Sequence, residues 1–252
     1  MDVSTGWGRN TLACSIVIPT YNEEETIISA LQRIEDALSP EDIEMIVSDD
    51  GSTDRTVERV LDFSSTRPWI RLISSDGNMG RGEAVAAGFA AGKGAVLAFL
   101  DADMATDFSH FGEMLGNVGP FDICIGSRWL EGSVVQRSVG RLMISKAFNL
   151  TVALLFHSRV SDNQCGFKAF KREVGLSLVR DCGTRTDRGW LWDTEMLVRA
   201  QLEGFSIKEI PVTWRAGRRS KFSVKRDIIR GLRYLIALKL RLIREYRYDK
   251  KN

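Results

Sequence analysis

Two aspartates, Asp101 and Asp103, flank Ala102 directly after the apolar run of residues 95–100. A hard divalent cation takes oxygen ligands, and Mg²⁺ in particular keeps waters and substrate phosphates beside one or two carboxylates. One carboxylate of this pair therefore suits Mg²⁺ or Mn²⁺ on a diphosphate, and the other suits a sugar or ribose hydroxyl. The plain alternative is an acidic pair that opens a solvated turn and binds nothing. Company favours the site, because Tyr21-Asn22-Glu23 and Asp49-Asp50 also stand just past β-rich runs.

Those runs belong to an alternation of strands and helices. Residues 15–18 are a β-branched run ending at Pro19, and residues 23–38 repeat Ile27, Ala30, Leu31, Ile34 and Leu38 at a helical period. Strands are predicted at 44–47, 70–73 and 95–100, with helices over 53–63 and 82–91 between them. Such alternation argues for an α/β fold built of parallel βαβ units. Ligands of such a sheet sit beyond the carboxyl ends of its strands. Glu23, Asp49, Asp50, Asp101 and Asp103 therefore converge on one rim, which is costly without a cation or a hydrogen-bonding ligand.

The second half is less regular. A strand is predicted at 122–125, a loop over 126–140, and an apolar helix over 142–156 in which Ser145 and Asn149 lie one turn apart. Helices follow at 171–179 and 194–202, then an edge strand at 206–212 interrupted by Pro211. An amphipathic helix spans 223–246. The organisation read from this is one domain over 1–222 with a basic helical extension over 223–252.

Composition is that of an ordinary globular chain: 252 residues, 44% apolar and 27% charged. Residues 215–252 hold 14 Lys/Arg against 3 Asp/Glu, a net of +11, while residues 1–214 net −9. The tail suits something anionic: a phosphate, a membrane surface or a nucleic acid. The acidic body and the lack of aromatic–basic interleaving argue against nucleic acid. No stretch reaches the roughly 20 uninterrupted apolar residues of a membrane span, and residues 1–10 lack the regions of a secretory signal. Cys14, Cys124, Cys165 and Cys182 form no CxxC pair and read as reduced, buried thiols of a cytosolic protein.

Asp49-Asp50-Gly51-Ser52 reads as an Asx turn with capping, which leaves one Asp for a base N–H. Asn78-Met79-Gly80-Arg81-Gly82 is neither GxGxxG nor GxxxxGK[ST], and so supports neither a dinucleotide fold nor a P-loop. Its Arg81 is in reach of a diphosphate.

Taken together, Pro19-Thr20-Tyr21-Asn22-Glu23, Asp49-Asp50-Gly51-Ser52, Asn78-x-Gly80, Asp101-Ala102-Asp103 and Gly126-Ser127-Arg128 resemble, in order, the motifs of family 2 inverting glycosyltransferases. Asp162–Phe170, Trp192-Asp193-Thr194-Glu195 and Arg215 through Ser220-Lys221 extend the likeness to the dolichyl-phosphate (polyprenyl-phosphate) mannosyl- and glucosyltransferases, over about residues 13–245. The resemblance implies a GT-A-type, Rossmann-like, mostly parallel sheet flanked by helices, with a C-terminal amphipathic helix. It implies a metal-dependent transferase that moves a hexose from UDP-glucose or GDP-mannose, with inversion, to a polyprenyl or dolichyl phosphate.

Residue by residue, it implies a nucleoside pocket of Pro19, Tyr21, Glu23 and Asp50, with Asp49 beside it. Arg81 would contact the diphosphate or sugar, Asp101 and Ala102 the ribose or sugar, and Asp103 the Mg²⁺ or Mn²⁺. Arg128, Arg141 and Ser145 would hold the acceptor phosphate, and Lys221, with Arg215 and Ser220, would lie over the donor. Asp101, Asp103, Arg128 and Asp193 make the catalytic set, with Asp193 and Glu195 either orienting sugar hydroxyls or merely capping a helix. One departure from the mannosyltransferase pattern is Ala105, where a Gln would also bind metal. That departure and Gln164-Cys165-Gly166-Phe167-Lys168 tilt the donor towards UDP-glucose.

A phosphate acceptor is already an anion and can attack without a strong base, needing only positioning and charge neutralisation. This agrees with two histidines outside every motif, His157 reading as a helix-end residue. Residues 142–156 suit either a buried core helix or the headgroup boundary. The basic and apolar stripes of the last helix suit an anionic bilayer. Peripheral attachment at the cytoplasmic face of a membrane is expected, directly or through a membrane-protein partner or a homo-oligomer. A fold-mate acting on a soluble or protein acceptor is the alternative.

Overall fold

A computed structural model describes residues 12–39, 41–182, 191–216 and 224–249. The first half follows the predicted alternation. The strands are β1 (Cys14–Thr20), β2 (Ile43–Asp49), β3 (Ile70–Ser74) and β4 (Val96–Leu100), with α1 (Ile27–Glu35), α2 (Thr56–Ser64) and α3 (Arg81–Ala91) between them. β1 runs parallel to both β2 and β4, and β2 parallel to β3, so the residues after β1, β2 and β4 meet at one edge. β1, β2 and β4 are apolar and almost wholly buried because helices cover both faces, as all-parallel strands require.

The second half departs from the predicted order. After α4 (Phe111–Asn117) and β5 (Ile123–Ser127), the expected loop contains a short strand, β6 (Val134–Gln136). Then come α5 (Val139–Phe156), β7 (Phe167–Lys171), α6 (Arg172–Asp181), α7 (Trp192–Leu202), β8 (Ile207–Pro211), β9 (Thr213–Arg215) and α8 (Val224–Asp249). β7 was not foreseen. It enters antiparallel between β4 and β5, giving a seven-stranded sheet of order β3-β2-β1-β4-β7-β5-β8. β8 is the edge strand that Pro211 predicts. β6 and β9 form a separate parallel pair.

One face of the sheet packs on α1, α2 and α4 through Leu31, Ile34, Val60 and Phe111. The other packs on α3, α6 and α7, where Phe89, Phe99, Phe170 and Trp192 form an aromatic cluster. A third, smaller cluster joins α5, α7 and α8 through Val152, Val198 and Leu235.

α5 is not the buried core helix that its composition allows. Its buried residues are Ser145, Asn149 and Val152, whereas Val139, Met143, Leu150 and Leu154 are exposed. Asn149 explains the orientation, since its Oδ1 accepts from both the backbone N and the Nδ2 of the buried Asn163 at 3.0 Å. At 18 residues, α5 is by length and composition apolar enough to cross a membrane, where residues 142–156 suggested only a core helix or one at the headgroup boundary. Its C-cap His157 has φ 53°, a helix-end role. The four cysteines are buried thiols outside any disulfide.

Candidate active site

The carboxyl ends of β1, β2 and β4 border an open cleft of about 350 Å³ lined by Pro19, Tyr21, Glu23, Asp50, Arg81, Asp101, Ala102 and Asp103, among others. Its floor is fixed by side chains that bind backbone. Asn22, held at φ 56°, accepts from the N–H of Thr53 at 2.8 Å and so joins the loops after β1 and β2. Asp50 accepts from the N–H groups of Met79 (2.7 Å) and Gly80 (2.8 Å), clamping the glycine loop ahead of α3. A carboxylate has about four lone-pair sites, so this clamp leaves room for a base N–H. Asp49, by contrast, turns away from the cleft: it accepts from Ser52 N (3.0 Å) and Ser74 Oγ (2.9 Å) and is 2% exposed. Its bonds brace a turn, and Asp54, just ahead of the N-cap Arg55 of α2, accepts from Thr56 N at 2.9 Å.

Beneath the cleft runs a chain of alternating charges. Arg81 donates through Nη2 to Asp101 Oδ1 at 2.5 Å and through Nη1 to Asp193 Oδ2 at 2.8 Å. Asp193 Oδ2 also accepts from Lys168 Nζ at 3.2 Å, and that lysine is wholly buried on β7. Burial alone would raise the Asp193 carboxyl, but Arg81 and then Lys168 hold it below the usual carboxylate range. With one oxygen on two cations and the other buried without a partner, Asp193 sits behind Arg81 and positions it. Asp193, expected in the catalytic set, is thus placed behind Arg81 and not among the residues that line the cleft. Glu195 is further from the cleft: it accepts from Arg199, Tyr234 and Arg241 and ties α8 to α7.

Asp103 opens into the cleft. Partial enclosure, then the nearby Asp101 and Glu23 charges, push its carboxyl up to about 6. A carboxylate so placed is short of positive charge, and Asp101 and Asp103 offer only oxygen. Among the described residues no cluster of three or more His, Cys, Asp or Glu forms a complete metal cage. This donor set fits a hard cation completed by phosphate oxygens and waters.

A second, basic site adjoins the first. Arg128, after β5, is 8% exposed, and its Nε (2.6 Å) and Nη2 (2.8 Å) grip Asp162 in a bidentate pair. Burial would lower the Arg128 pKa, but Asp162 more than offsets that, and Asp101 contributes in the same direction, so the two sites are within electrostatic reach. Arg141 and Ser145 follow on α5, with the Ser145 hydroxyl buried and unpartnered. Arg137, just after β6, completes the cluster. The expected contacts of Ser220 and Lys221 lie outside the described residues. Lys168, Asp162, Arg137 and Trp214 were missed as site residues, although Asp162 and Lys168 stood inside a quoted motif.

Comparison with known proteins shows the family and the fold. The model for Glycosyl transferase family 2 matches residues 15–175. Glycosyltransferase AglD of Haloferax volcanii is 39% identical over 221 residues, covering 85% of this chain and 35% of that protein. The dolichyl-phosphate beta-glucosyltransferase of Saccharomyces cerevisiae is 30% identical over 94% of this chain and 77% of its own length. That of Homo sapiens is 31% identical over 82% and 69%. The chain thus spans about a third of the first relative and more than two thirds of the other two. Glucosyl-3-phosphoglycerate synthase from Mycobacterium tuberculosis, solved with Mn²⁺ and UDP, superposes with a TM-score of 0.65 at 23% identity, covering 90% of this chain and 78% of that one. A mannosyltransferase from Pyrobaculum calidifontis, solved with GDP-Man and Mn²⁺, gives 0.60 at 19%, covering 87% and 62%. At such identities the likeness is one of fold, the GT-A arrangement. The matched region is more than half of the chain and carries β2 to β7 with most of β1, both aspartates and Arg128, Arg137 and Arg141, and on that ground the chain belongs to glycosyl transferase family 2.

Proposed function

We propose that this chain transfers glucose from UDP-glucose, with inversion, to the phosphate of a polyprenyl or dolichyl phosphate at the cytoplasmic face of a membrane. The observation that carries the reading is the two-sidedness of α5. Arg141 and the buried Ser145 belong to its basic, protein-facing side, while Val139, Met143, Leu150 and Leu154 are exposed on the other. One helix thereby meets both a phosphate and an apolar chain. Exposed Ile229, Leu232, Ile236 and Leu240 on α8, with exposed Arg233 and Arg244 among them, extend the same chemistry. The names of the relatives support the acceptor and the sugar.

Pro19, Tyr21, Glu23 and Asp50 would hold the nucleoside, and Asp101, Ala102 and Arg81 the sugar side of the donor. Asp103 would hold Mg²⁺ or Mn²⁺, which when bound neutralises the departing diphosphate. Arg128, Arg141 and Ser145 orient the acceptor phosphate towards the cleft and neutralise it. No protein base is required, because the attacking oxygen carries its own negative charge. Lys221 is assigned to the donor as part of the same reading.

The test is turnover of UDP- and GDP-sugars with Mn²⁺ and a polyprenyl phosphate, against a soluble alcohol and a soluble phosphate. UDP-glucose with the lipid phosphate is expected to be preferred, and Asp103→Ala to abolish turnover. Undiminished activity of that variant would sink the metal assignment, and preference for the alcohol would favour a soluble acceptor. Flotation with anionic liposomes at low salt checks the membrane contact, which failure to co-float would refute.

A further inference from the structure

Trp214 stands where the two halves of the site meet. Its strand β9 pairs with β6, Thr106 of the donor loop bridges to it, and Arg215 N donates to Ala105 O at 2.8 Å. The Arg128 guanidinium lies 5.5 Å and that of Arg137 5.3 Å from the Trp214 ring centroid. Stacking on an indole fixes the plane of a guanidinium and leaves its N–H groups free to point elsewhere.

The charges around Arg137 do not balance. Arg128 is held by Asp162, but among the described residues no carboxylate lies within ion-pair distance of Arg137 or Arg141. Burial, then Arg128 and Arg141, pulls the Arg137 pKa below its ordinary value, with Asp162 opposing. Three guanidinium groups thus share one carboxylate, which leaves two positive charges beside the unpartnered, buried Ser145 hydroxyl. An alcohol would compensate none of this and a phosphodiester only half. A phosphomonoester, which carries about 1.5 to 2 negative charges at neutral pH, compensates nearly all of it.

We infer that Arg137, braced on Trp214, reads the second negative charge of a phosphomonoester acceptor and so makes the site select a terminal phosphate over a phosphodiester or an alcohol. This rests on the phosphate-acceptor reading above and adds to it a specificity-determining residue. Arg128 does not supply the charge alone, since the bidentate pair with Asp162 already matches its own.

Titration calorimetry with the full chain, UDP and Mn²⁺ tests it, using citronellyl phosphate and its methyl diester as probes. The wild type is expected to bind the monoester at least about tenfold tighter than the diester, one charge-assisted contact's effect. Arg137→Gln should lose about that factor for the monoester and little for the diester, so that the preference collapses. Arg137→Lys, which retains the charge, should retain most of the preference. Trp214→Leu, which keeps the charge and removes only the brace, should lose part of the preference, and Trp214→Phe should behave like the wild type. UDP affinity, unchanged in all four variants, reports an intact fold and donor cleft. A preference that survives Arg137→Gln overturns the inference alone, as does an equal loss of UDP affinity. If the wild type binds neither probe, the phosphate-acceptor reading falls and takes this inference with it.

Discussion

Replacing Asp193 by asparagine keeps the shape of the side chain and removes one charge from the row Lys168–Asp193–Arg81–Asp101. The loss is unevenly shared. Arg81 keeps Asp101 at 2.5 Å and is a quarter exposed, so solvent and its second partner absorb part of the change. Lys168 has no such recourse: it is 0% exposed and is left with the Cys165 carbonyl and the Phe99 ring. Removing one partner of a buried pair costs about 3–5 kcal/mol because the other charge stays buried and uncompensated. For a chain of this length each kcal/mol shifts Tm by about 2–4 °C, so a fall of about 6–20 °C is expected. Lys168→Met should rescue much of it, and the double-mutant cycle should give a coupling of about 2 kcal/mol in urea melts. The pH dependence has a fixed sign. Asp193 has a depressed folded pKa, so its stabilisation is present above the unfolded value near 4 and is lost as pH falls through the folded one. The gap between wild type and Asp193→Asn should therefore narrow below about pH 4. A Tm loss under about 2 °C, or additivity of the two substitutions within about 0.5 kcal/mol, would refute the claim that this row is held together by charge.

Asp103 gives a pH dependence of the opposite kind. Its carboxyl, pushed up to about 6, binds protons in the fold between its unfolded value and 6, so stability without cation should decline as pH rises through that window. A cation needs the deprotonated form, so the Mn²⁺ concentration for half-maximal thermal stabilisation should be about tenfold higher at pH 5 than at pH 7; a pH-independent value refutes this. At Gly166 an added Cβ would lie 1.8 Å from Asp101 Oδ2, so Gly166→Ala must push that carboxylate out of place. A displacement of about 1 Å at a reacting site can cost about 10²-fold in rate, and steady-state kinetics showing less than a tenfold loss would contradict the placement. Glu195→Ala frees Tyr234 and Arg241, so limited proteolysis should cut within α8 sooner than in the wild type, with UDP binding kept. Equal cleavage rates would mean that α8 is held chiefly by Leu235 and Leu238.

The parts legible in the sequence are those decided locally. β1, β2 and β4 are short apolar runs with buried faces on both sides, and the acidic residues that follow them fall at the strand ends by topology alone. What escaped depends on partners distant in the chain. β7 contains Lys168, which in an isolated strand reads as a solvent-facing residue, and only Asp193, 25 positions later, makes its burial tolerable. Arg128 looked like a free phosphate ligand until Asp162, 34 positions on, took two of its N–H groups. Composition left α5 open between core and surface, and Asn149 settled it by pairing with Asn163 and rotating the apolar side outward. Asp49 and Asp50 are adjacent and chemically identical, yet strand alternation sends one to a turn and the other to the cleft.

These late partners concentrate in one stretch, residues 162–168, which reaches both halves of the site. Asp162 holds Arg128 at the basic end. Gly166 leaves space for Asp101, and its carbonyl accepts the Asp101 N–H at 3.1 Å at the cleft end. Lys168 secures Asp193 and through it Arg81. The antiparallel entry of β7 between β4 and β5 is what makes this possible, since an antiparallel strand begins where its parallel neighbours end. Its first residues therefore lie at the rim that carries Asp101 on one side and Arg128 on the other. In the proposed transfer, donor and acceptor groups share one short backbone segment, which fixes their separation to the precision of a single strand. The proposed reaction uses no protein base and relies on that precision most, because positioning and charge are then the whole of the protein's contribution.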